Sequence, residues 1–266
     1  MAVRVCVAGA TGWAGAALAR AIAHTDDLAL VAAVSRRHAG RRLGDVLGIP
    51  RLTAPLSRSA DEALATACDV FVEYTHPDVA KANVGAAIRR GVHVVIGTSG
   101  LSDEDLGEID SLARQHRTGV LAVGNFSLAV VVLQKCAELA ARHLPHWEVI
   151  DYASAGKPDA PSGTARELAY RLSRVRTPAL SVPIAETQGP PESRGATLNG
   201  VQIHSIRLPG YVISAEVLFG VLDQRVSFRY DAGSSPDAYV EGALLAIRRV
   251  GTIVGLQRGL DSVMEF

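Results

Sequence analysis

Lys157 and Ser162-Gly163-Thr164, separated by Pro158-Asp159-Ala160-Pro161, carry the most specific chemistry in the chain. Proline disfavours the α region for the residue before it, so this segment stays off helical geometry, and Leu168, Ala169 and Leu172 then follow at helical spacing. Ser162, Gly163 and Thr164 are therefore expected at a helix start. There the first backbone N–H groups lack intrahelical partners and the helix dipole is positive, which suits a carboxylate or phosphate. Lys157 adds a full positive charge on the same loop. These residue types hold an anionic substrate; the bland alternative is a capped helix beside an exposed lysine.

A second constellation lies near the beginning. The β-rich run 3–8 ends in Gly9-x-x-Gly12-x-x-Gly15, with Thr11 and Trp13 inside the turn, and Ala16, Leu18, Ala19 and Ile22 then read as a helix. Strand, glycine turn and helix make the first unit of a dinucleotide-binding fold, in which glycines let the backbone approach a pyrophosphate. The next strand, 28–34, ends at Ser35-Arg36-Arg37. An acidic residue at such a strand end bonds the ribose of NAD, whereas arginine suits the 2′-phosphate of NADP. Two arginines and no acid favour NADP, with NADPH preferred and NAD left open.

Strands at 69–75, 92–96 and 120–123 alternate with helices at 79–90, 103–116 and 128–143. This alternation predicts a parallel sheet whose carboxyl ends form the ligand crevice, so Thr75, Gly97 and Thr98 should line the cofactor. Beyond residue 148 the pattern changes. A strand at 148–154 precedes the Lys157 loop and its helix; 177–200 reads as a loop region; 201–207, 212–219 and 225–230 are β-rich; and 238–254 is a final helix. Strands without intervening helices predict an antiparallel or mixed sheet. The expected fold class is α/β, a Rossmann-type parallel-sheet domain plus an α+β domain with an open mixed β-sheet. The alternation Val212, Ser214, Glu216, Leu218 leaves one sheet face available to a second copy of the chain.

The chain has 266 residues, with 27 basic and 27 acidic side chains and hence no net charge. No global field favours nucleic acid or an acidic membrane face, so the expected partner is a small molecule. Cys6, Cys68 and Cys136 are far apart in sequence, in apolar surroundings and without metal-ligand spacing, which predicts buried thiols and no metal. No apolar run reaches the ~20 residues of a membrane span, and no signal-peptide pattern precedes the first strand. A cytoplasmic protein is expected.

The glycine turn, Gly97-Thr98-Ser99-Gly100, Asn125-Phe126-Ser127 and the run from Lys157 through Asp159-Ala160-Pro161-Ser162-Gly163-Thr164-Ala165 together resemble the 4-hydroxy-tetrahydrodipicolinate (dihydrodipicolinate) reductase family of lysine and diaminopimelate biosynthesis. His204 to Gly210 and Glu216 to Gly220 look like the same family's later segment. The resemblance implies hydride transfer from NADPH or NADH to a cyclic imine-type dicarboxylate. It also implies a homotetramer, with a dinucleotide domain of 1–126 and 239–266 completed by the C-terminal helix. Residues 127–238 would bind substrate and oligomerise. By position it gives the pyrophosphate to Gly9, Gly12 and Gly15, the adenosine ribose to Arg36 and Arg37, and the nicotinamide to Gly97, Thr98, Ser99, Asn125 and Phe126. Lys157, Ser162, Gly163 and Thr164 would hold substrate.

The family pattern ahead of the lysine is His-His-x-x-x-Lys, whose first histidine is the proposed proton donor; here the run is Ala153-Ser154-Ala155-Gly156-Lys157. Near the end, Gly233-Ser234-Ser235-Pro236 stands where relatives often carry an arginine. Lys157 itself, or water held by Ser154, then remains to supply a proton. The alternatives are an imine reductase or amine dehydrogenase with another substrate, and a non-catalytic NADP sensor. Tyr152 and Asp151 read as a strand-end packing tyrosine and a solvated aspartate, or as catalytic substitutes. His204 reads as a structural histidine on a sheet, His76 as a candidate cofactor contact, and Glu73 as hydrogen-bonded structure.

Overall fold

The structure, a computed structural model, describes residues 2–266. Contacts divide the chain into Met1–Ser127 with Pro236–Phe266, and Leu128–Ser235.

The first unit begins with β1 (Val3–Ala8), α1 (Trp13–Ile22) and β2 (Leu28–Val34). Short elements follow, α2 (Leu43–Leu47), β3 (Leu56–Ser57) and α3 (Ala60–Ala63), in a stretch where no element was expected. The alternation then resumes with β4 (Val70–Glu73), α4 (Pro77–Ile88), β5 (His93–Ile96), α5 (Asp103–His116) and β6 (Gly119–Ala122). The second unit comprises α6 (Leu128–His143), β7 (His146–Ala153), α7 (Gly163–Val175), β8 (Ala196–Leu198), β9 (Val201–Arg207), β10 (Ile213–Val221) and β11 (Gln224–Ala232). The chain returns to the first unit through α8 (Val240–Arg249) and β12 (Gly255–Arg258).

The seven-stranded sheet has the order β12-β6-β5-β4-β1-β2-β3, and its strand pairs are all parallel. Its central strands are apolar on both faces, as a sheet covered by helices on both sides requires. Cys6, Phe71, Val94 and Val120 pack there with Val84 and Ile88 of α4 and Ile109 of α5. The five-stranded sheet, β11-β10-β7-β9-β8, is mixed: β7 and β9 run parallel and the other pairs antiparallel. One face buries Trp147, Val149, Ile203, Val217 and Phe219 against Val130, Leu133 and Ala137 of α6 and Leu168 and Leu172 of α7. Among the described residues no helix is long and apolar enough to cross a membrane, and no cluster of His, Cys, Asp or Glu is placed to hold a metal.

Three expectations are corrected here. The final helix ends at Arg249, a 3-10 turn spans Val250–Thr252, and the chain then extends into β12 beside β6. Gly255, at φ 86°, opens that strand, and its N–H donates to the Thr118 carbonyl at 2.9 Å. Region 177–200 is not wholly irregular, because β8 pairs antiparallel with β9. Cys6 and Cys68, expected to lie far apart, have interacting thiols: the interaction, helped by burial, pushes the Cys6 thiol up and draws Cys68 down against the opposing effect of burial. All three cysteines are free.

Alanine ordinarily strengthens a helix relative to glycine. Gly242 of α8 reverses that rule, because an added Cβ would run into the Phe126 carbonyl and would approach Leu260 Cδ2 to 2.8 Å. Gly242→Ala is therefore expected to destabilise the protein by about 1–3 kcal/mol, as overpacking does. Urea denaturation followed by circular dichroism checks the sign.

Candidate functional site

In the first unit the glycine turn joins β1 to α1. Gly9 sits at φ 79°, and its N–H donates to the Val34 carbonyl at 3.0 Å. A Cβ at Gly9 would run into the Tyr74 carbonyl, and one at Gly15 into the Gly9 carbonyl. Strand end, turn and helix start thus pack backbone against backbone, the close approach a pyrophosphate cradle requires. Gly12 caps α1 without a side-chain hydrogen bond, and no acidic residue stands in the first turn. The exposed N-terminus of α1 therefore keeps its donors and its positive dipole for an anion. Thr11 Oγ1 lies 2.8 Å from Ser35 Oγ, tying the turn to the end of β2. Trp13, largely exposed, leans its ring on Tyr239.

After Ser35 the chain makes a single 3-10 turn, Arg36–His38. Both guanidinium groups are exposed, and neither has an ion pair or hydrogen bond among the described residues. The pair is chemically available at the strand end where a ribose or its 2′-phosphate would lie.

The carboxyl ends of β4 and β5 are held together by Glu73, which is fully buried. Its Oε1 accepts from the Thr75 N–H at 2.8 Å and from the Thr75 and Thr98 hydroxyls. Its Oε2 accepts from Asn83 Nδ2 at 2.9 Å. The Glu73 carbonyl takes the N–H groups of Gly97 and Thr98 at 3.0 and 3.2 Å. Glu73 is hydrogen-bonded structure, as expected, and it brings Thr75, Gly97 and Thr98 together; Ser99 follows, exposed. Phe126 is buried edge-on against Tyr74, with ring centroids 5.6 Å apart, and burial pushes the Tyr74 phenol well above its ordinary value. Asn125 Oδ1 accepts from the Ser127 N–H at 2.9 Å. His76 caps α4, accepting from the Asp78 N–H.

In the second unit β7 ends at Ala153, whose carbonyl accepts from the Leu208 N–H at 3.1 Å. Ala153 is fully buried and Ser154 half-buried. The Lys157 ammonium lies 2.7 Å from Asp159 Oδ1, and this pairing lowers the Asp159 carboxyl below its usual range. Ala160-Pro161 is a cis peptide. Ser162 caps α7, its hydroxyl accepting from the Ala165 N–H at 3.3 Å. Gly163 and Thr164 open the helix, with Gly163 exposed, and the first turn carries no acidic side chain. Lys157, its charge shared with Asp159, lies on the loop that leads into Gly163 and Thr164 at the helix start, while Ser162 is buried and committed to the cap.

Asp151 is not the solvated aspartate that its type and position imply. It is completely buried, with Oδ2 accepting from the Ser162 N–H and from Arg207 Nη2, both at 2.8 Å. Strand alternation places position 151 on the helix-covered face, a signal that could have revealed its burial. Arg207, noted only within the segment His204 to Gly210 and given no role there, falls on the same face, opposite Ala153 in the parallel register. Tyr152, on the other face, donates to Glu216 Oε2 at 2.9 Å and stacks on Tyr211 at 5.1 Å. His204 Nε2 pairs with Glu148 Oε2 at 2.7 Å, as a structural histidine does.

A helix-covered parallel sheet with a glycine turn at the β1–α1 junction and an exposed α1 N-terminus defines a dinucleotide-binding unit of Rossmann type. Residues 3–126 match the family model described as "Dihydrodipicolinate reductase, N-terminus", and residues 129–263 its C-terminus counterpart. The 4-hydroxy-tetrahydrodipicolinate reductase of Moorella thermoacetica is 38% identical over 266 residues, covering 99% of this chain and 98% of its own. Among solved structures, dipicolinate-bound dihydrodipicolinate reductase from Paenisporosarcina sp. TG-14 superimposes with TM-score 0.87 at 29% identity, over 99% of this chain and 100% of its own. An amine dehydrogenase from Mycobacterium smegmatis shares the fold at TM-score 0.67 and 16% identity, covering 96% of this chain and 94% of its own. The chain belongs to the dihydrodipicolinate reductase family, and it is an NAD(P)H-dependent oxidoreductase.

Glu73→Gln would aim an amide NH2 at one of the donors that the carboxylate now satisfies, at a cost of about 1–3 kcal/mol. Lower thermal stability and NAD(P)H binding weakened by about fivefold or more are expected from loosening the Thr75 and Thr98 turns. A thermal melt and a fluorescence titration measure the two effects.

Proposed function

We propose that the protein is an NADPH-preferring reductase acting on the cyclic imine-type dicarboxylate of its curated relatives, 4-hydroxy-tetrahydrodipicolinate, in lysine and diaminopimelate biosynthesis. The observation that carries this reading is the Lys157 loop with Gly163-Thr164, a lysine paired among the described residues only with Asp159, ahead of a helix whose first turn carries no acidic residue. Such a turn suits a carboxylate. When bound, the dinucleotide would supply hydride to a ring carbon made electrophilic by conjugation with the imine, the 4-hydroxyl leaving as water. Gly9, Thr11, Gly12, Trp13 and Gly15 are proposed to receive its pyrophosphate, and Thr75, Gly97, Thr98, Ser99, Asn125 and Phe126 its nicotinamide end. The preference for NADPH rests on the two unpaired guanidinium groups of Arg36 and Arg37.

Substrate carboxylate is proposed to lie on Lys157, on the Gly163 and Thr164 backbone and on the rim made by Ser162. With alanine at position 153, proton delivery falls to the Lys157 ammonium or to water at Ser154. Hydride addition to an imine-activated carbon depends on the hydride and the electron-withdrawing nitrogen more than on a strong acid, so a weaker proton donor costs rate without abolishing the reaction. Free cysteines throughout support a cytoplasmic enzyme. A homotetramer is supported by the open face of the five-stranded sheet. There Ile150, Ile206 and Leu218 project from neighbouring strands and are only half-buried in one copy.

Steady-state oxidation of NADPH and NADH with freshly generated 4-hydroxy-tetrahydrodipicolinate, beside a panel of other cyclic imines, tests the reading. Turnover with the dicarboxylate and a preference for NADPH are expected; turnover of another imine alone would move the substrate assignment to that compound. Replacing Arg36 and Arg37 together by glutamine should raise KM for NADPH by about tenfold or more while leaving NADH nearly unchanged. Equal effects on both would remove the 2′-phosphate assignment. Light scattering should return the mass of a tetramer, and a monomer would dismiss the role given to the open sheet face.

A further inference from the structure

Within the turn that holds Lys157 and the start of α7, local hydrogen bonds run from the Lys157 N–H to the Ser154 carbonyl, from the Arg166 guanidinium to the Pro161 carbonyl, and from the Ala165 and Arg166 N–H groups to the Ser162 hydroxyl and carbonyl. Ala155, Gly156, Pro158 and Ala160 are exposed. What fixes the turn is one carboxylate–guanidinium pair beneath it. Asp151 Oδ2 accepts from the Ser162 N–H at 2.8 Å, from Arg207 Nη2 at 2.8 Å and from Ser205 Oγ at 3.2 Å. Arg207 Nη2 also donates to the Asp159 carbonyl at 2.6 Å. Asp159 and Ser162 flank Ala160-Pro161, so both ends of the bend are tied to β7 and β9 through the same two side chains. Asp159 in turn carries the ion pair to Lys157. The ammonium and the helix N–H groups therefore take their positions from a common origin.

We propose that Asp151 and Arg207 are positioning residues for the substrate carboxylate, setting the separation between the Lys157 ammonium and the first N–H groups of α7. This rests on the reading of that turn as the carboxylate cradle. Two features argue against a purely stabilising role. Asp151 Oδ1 and Arg207 Nε are buried without a hydrogen-bond partner, so the pair is not fully satisfied, and a buried ion pair is often no more stable than an apolar replacement. The charges also act on the cradle directly. Asp151 alone would place a negative charge just behind the α7 N-terminus and repel a bound carboxylate; Arg207 cancels it. Arg207 thus has two separable functions, bridging Asp151 to Asp159 and neutralising Asp151.

The test uses dipicolinate, a planar dicarboxylate, as the probe, with its affinity measured by calorimetry in the presence of NADPH. Arg207→Gln, which exposes the cradle to an uncompensated Asp151, should weaken dipicolinate by about tenfold or more. The double variant Asp151→Asn with Arg207→Gln removes both charges and should recover part of that loss, a coupling that simple damage to the core would not produce. Arg207→Lys keeps the charge and tests the bridge alone, since one ammonium cannot reproduce the guanidinium's planar donor set. It should weaken binding by about threefold to tenfold and serves as well if Arg207→Gln fails to fold. With the natural substrate, KM should rise by a larger factor than kcat falls, with NADPH affinity held within about twofold. Binding of dipicolinate by the variants as tightly as by the wild type, with only thermal stability lowered, would overturn the positioning role. Failure of the wild type itself to bind dipicolinate would instead strike the cradle reading, and this inference with it.

Discussion

A buried carboxylate without an ion-pair partner among the described residues is expensive to maintain, and Glu73 occupies that position at the end of a central strand. The cost is offset only if the carboxylate oxygens are filled by donors, and the donors present are the backbone of Thr75, the hydroxyls of Thr75 and Thr98, and the Asn83 amide. Satisfying Glu73 therefore dictates where the chain goes as it leaves β4 and β5. The same requirement brings Tyr74 over Gly9 and against Phe126, so that the glycine turn, the β4 turn and the β6 exit share a surface. Electrostatic necessity inside the sheet is converted into the shape of its carboxyl edge, where parallel sheets bind ligands.

The second unit meets a similar demand with charges of both signs. Its sheet buries one face in an apolar layer with α6 and α7, and Asp151 and Arg207 stand at the rim of that layer, where β7 and β9 approach the α7 N-terminus. A polar pair at that place gives the bend between Asp159 and Ser162 a defined geometry that an apolar contact could not specify, because hydrogen bonds are directional and dispersion contacts are not. The opposite sheet face carries its own tied cluster, with Arg229 bonded in parallel to both oxygens of Asp231 and lying over the Tyr152 ring.

Much of this was legible in the residues. Local signals, the glycine spacing after an apolar strand and the alternation of strand and helix, gave the first sheet and placed Gly9, Gly97 and Thr98 at its carboxyl edge. Helices 103–116 and 128–143 lie where their apolar periodicity put them. What escaped depends on long-range contact. The burial of Asp151 follows from the company of Arg207, which is fifty-six positions away. The pairing of Cys6 with Cys68 follows from β1 lying beside β4. The last strand escaped because Leu256 and its neighbours are short, partly polar and defined mainly by the edge of β6 they complete. Nor did the elements of 43–63 announce themselves, since a five-residue and a four-residue helix offer too little periodicity to read.

That final strand has a consequence for how the protein comes into being. Synthesis delivers β1 to β6 first, but the outer edge of β6 acquires its partner only when β12 arrives, after the whole of the second unit has been made. Until then the nascent first unit presents an unpaired parallel edge lined by Val120 and Leu121, the kind of surface that recruits foreign strands. The interposed unit is contiguous in the chain and holds every strand of its own sheet, so it can close while the ribosome is still at work. The dinucleotide-binding half, begun first, is finished last.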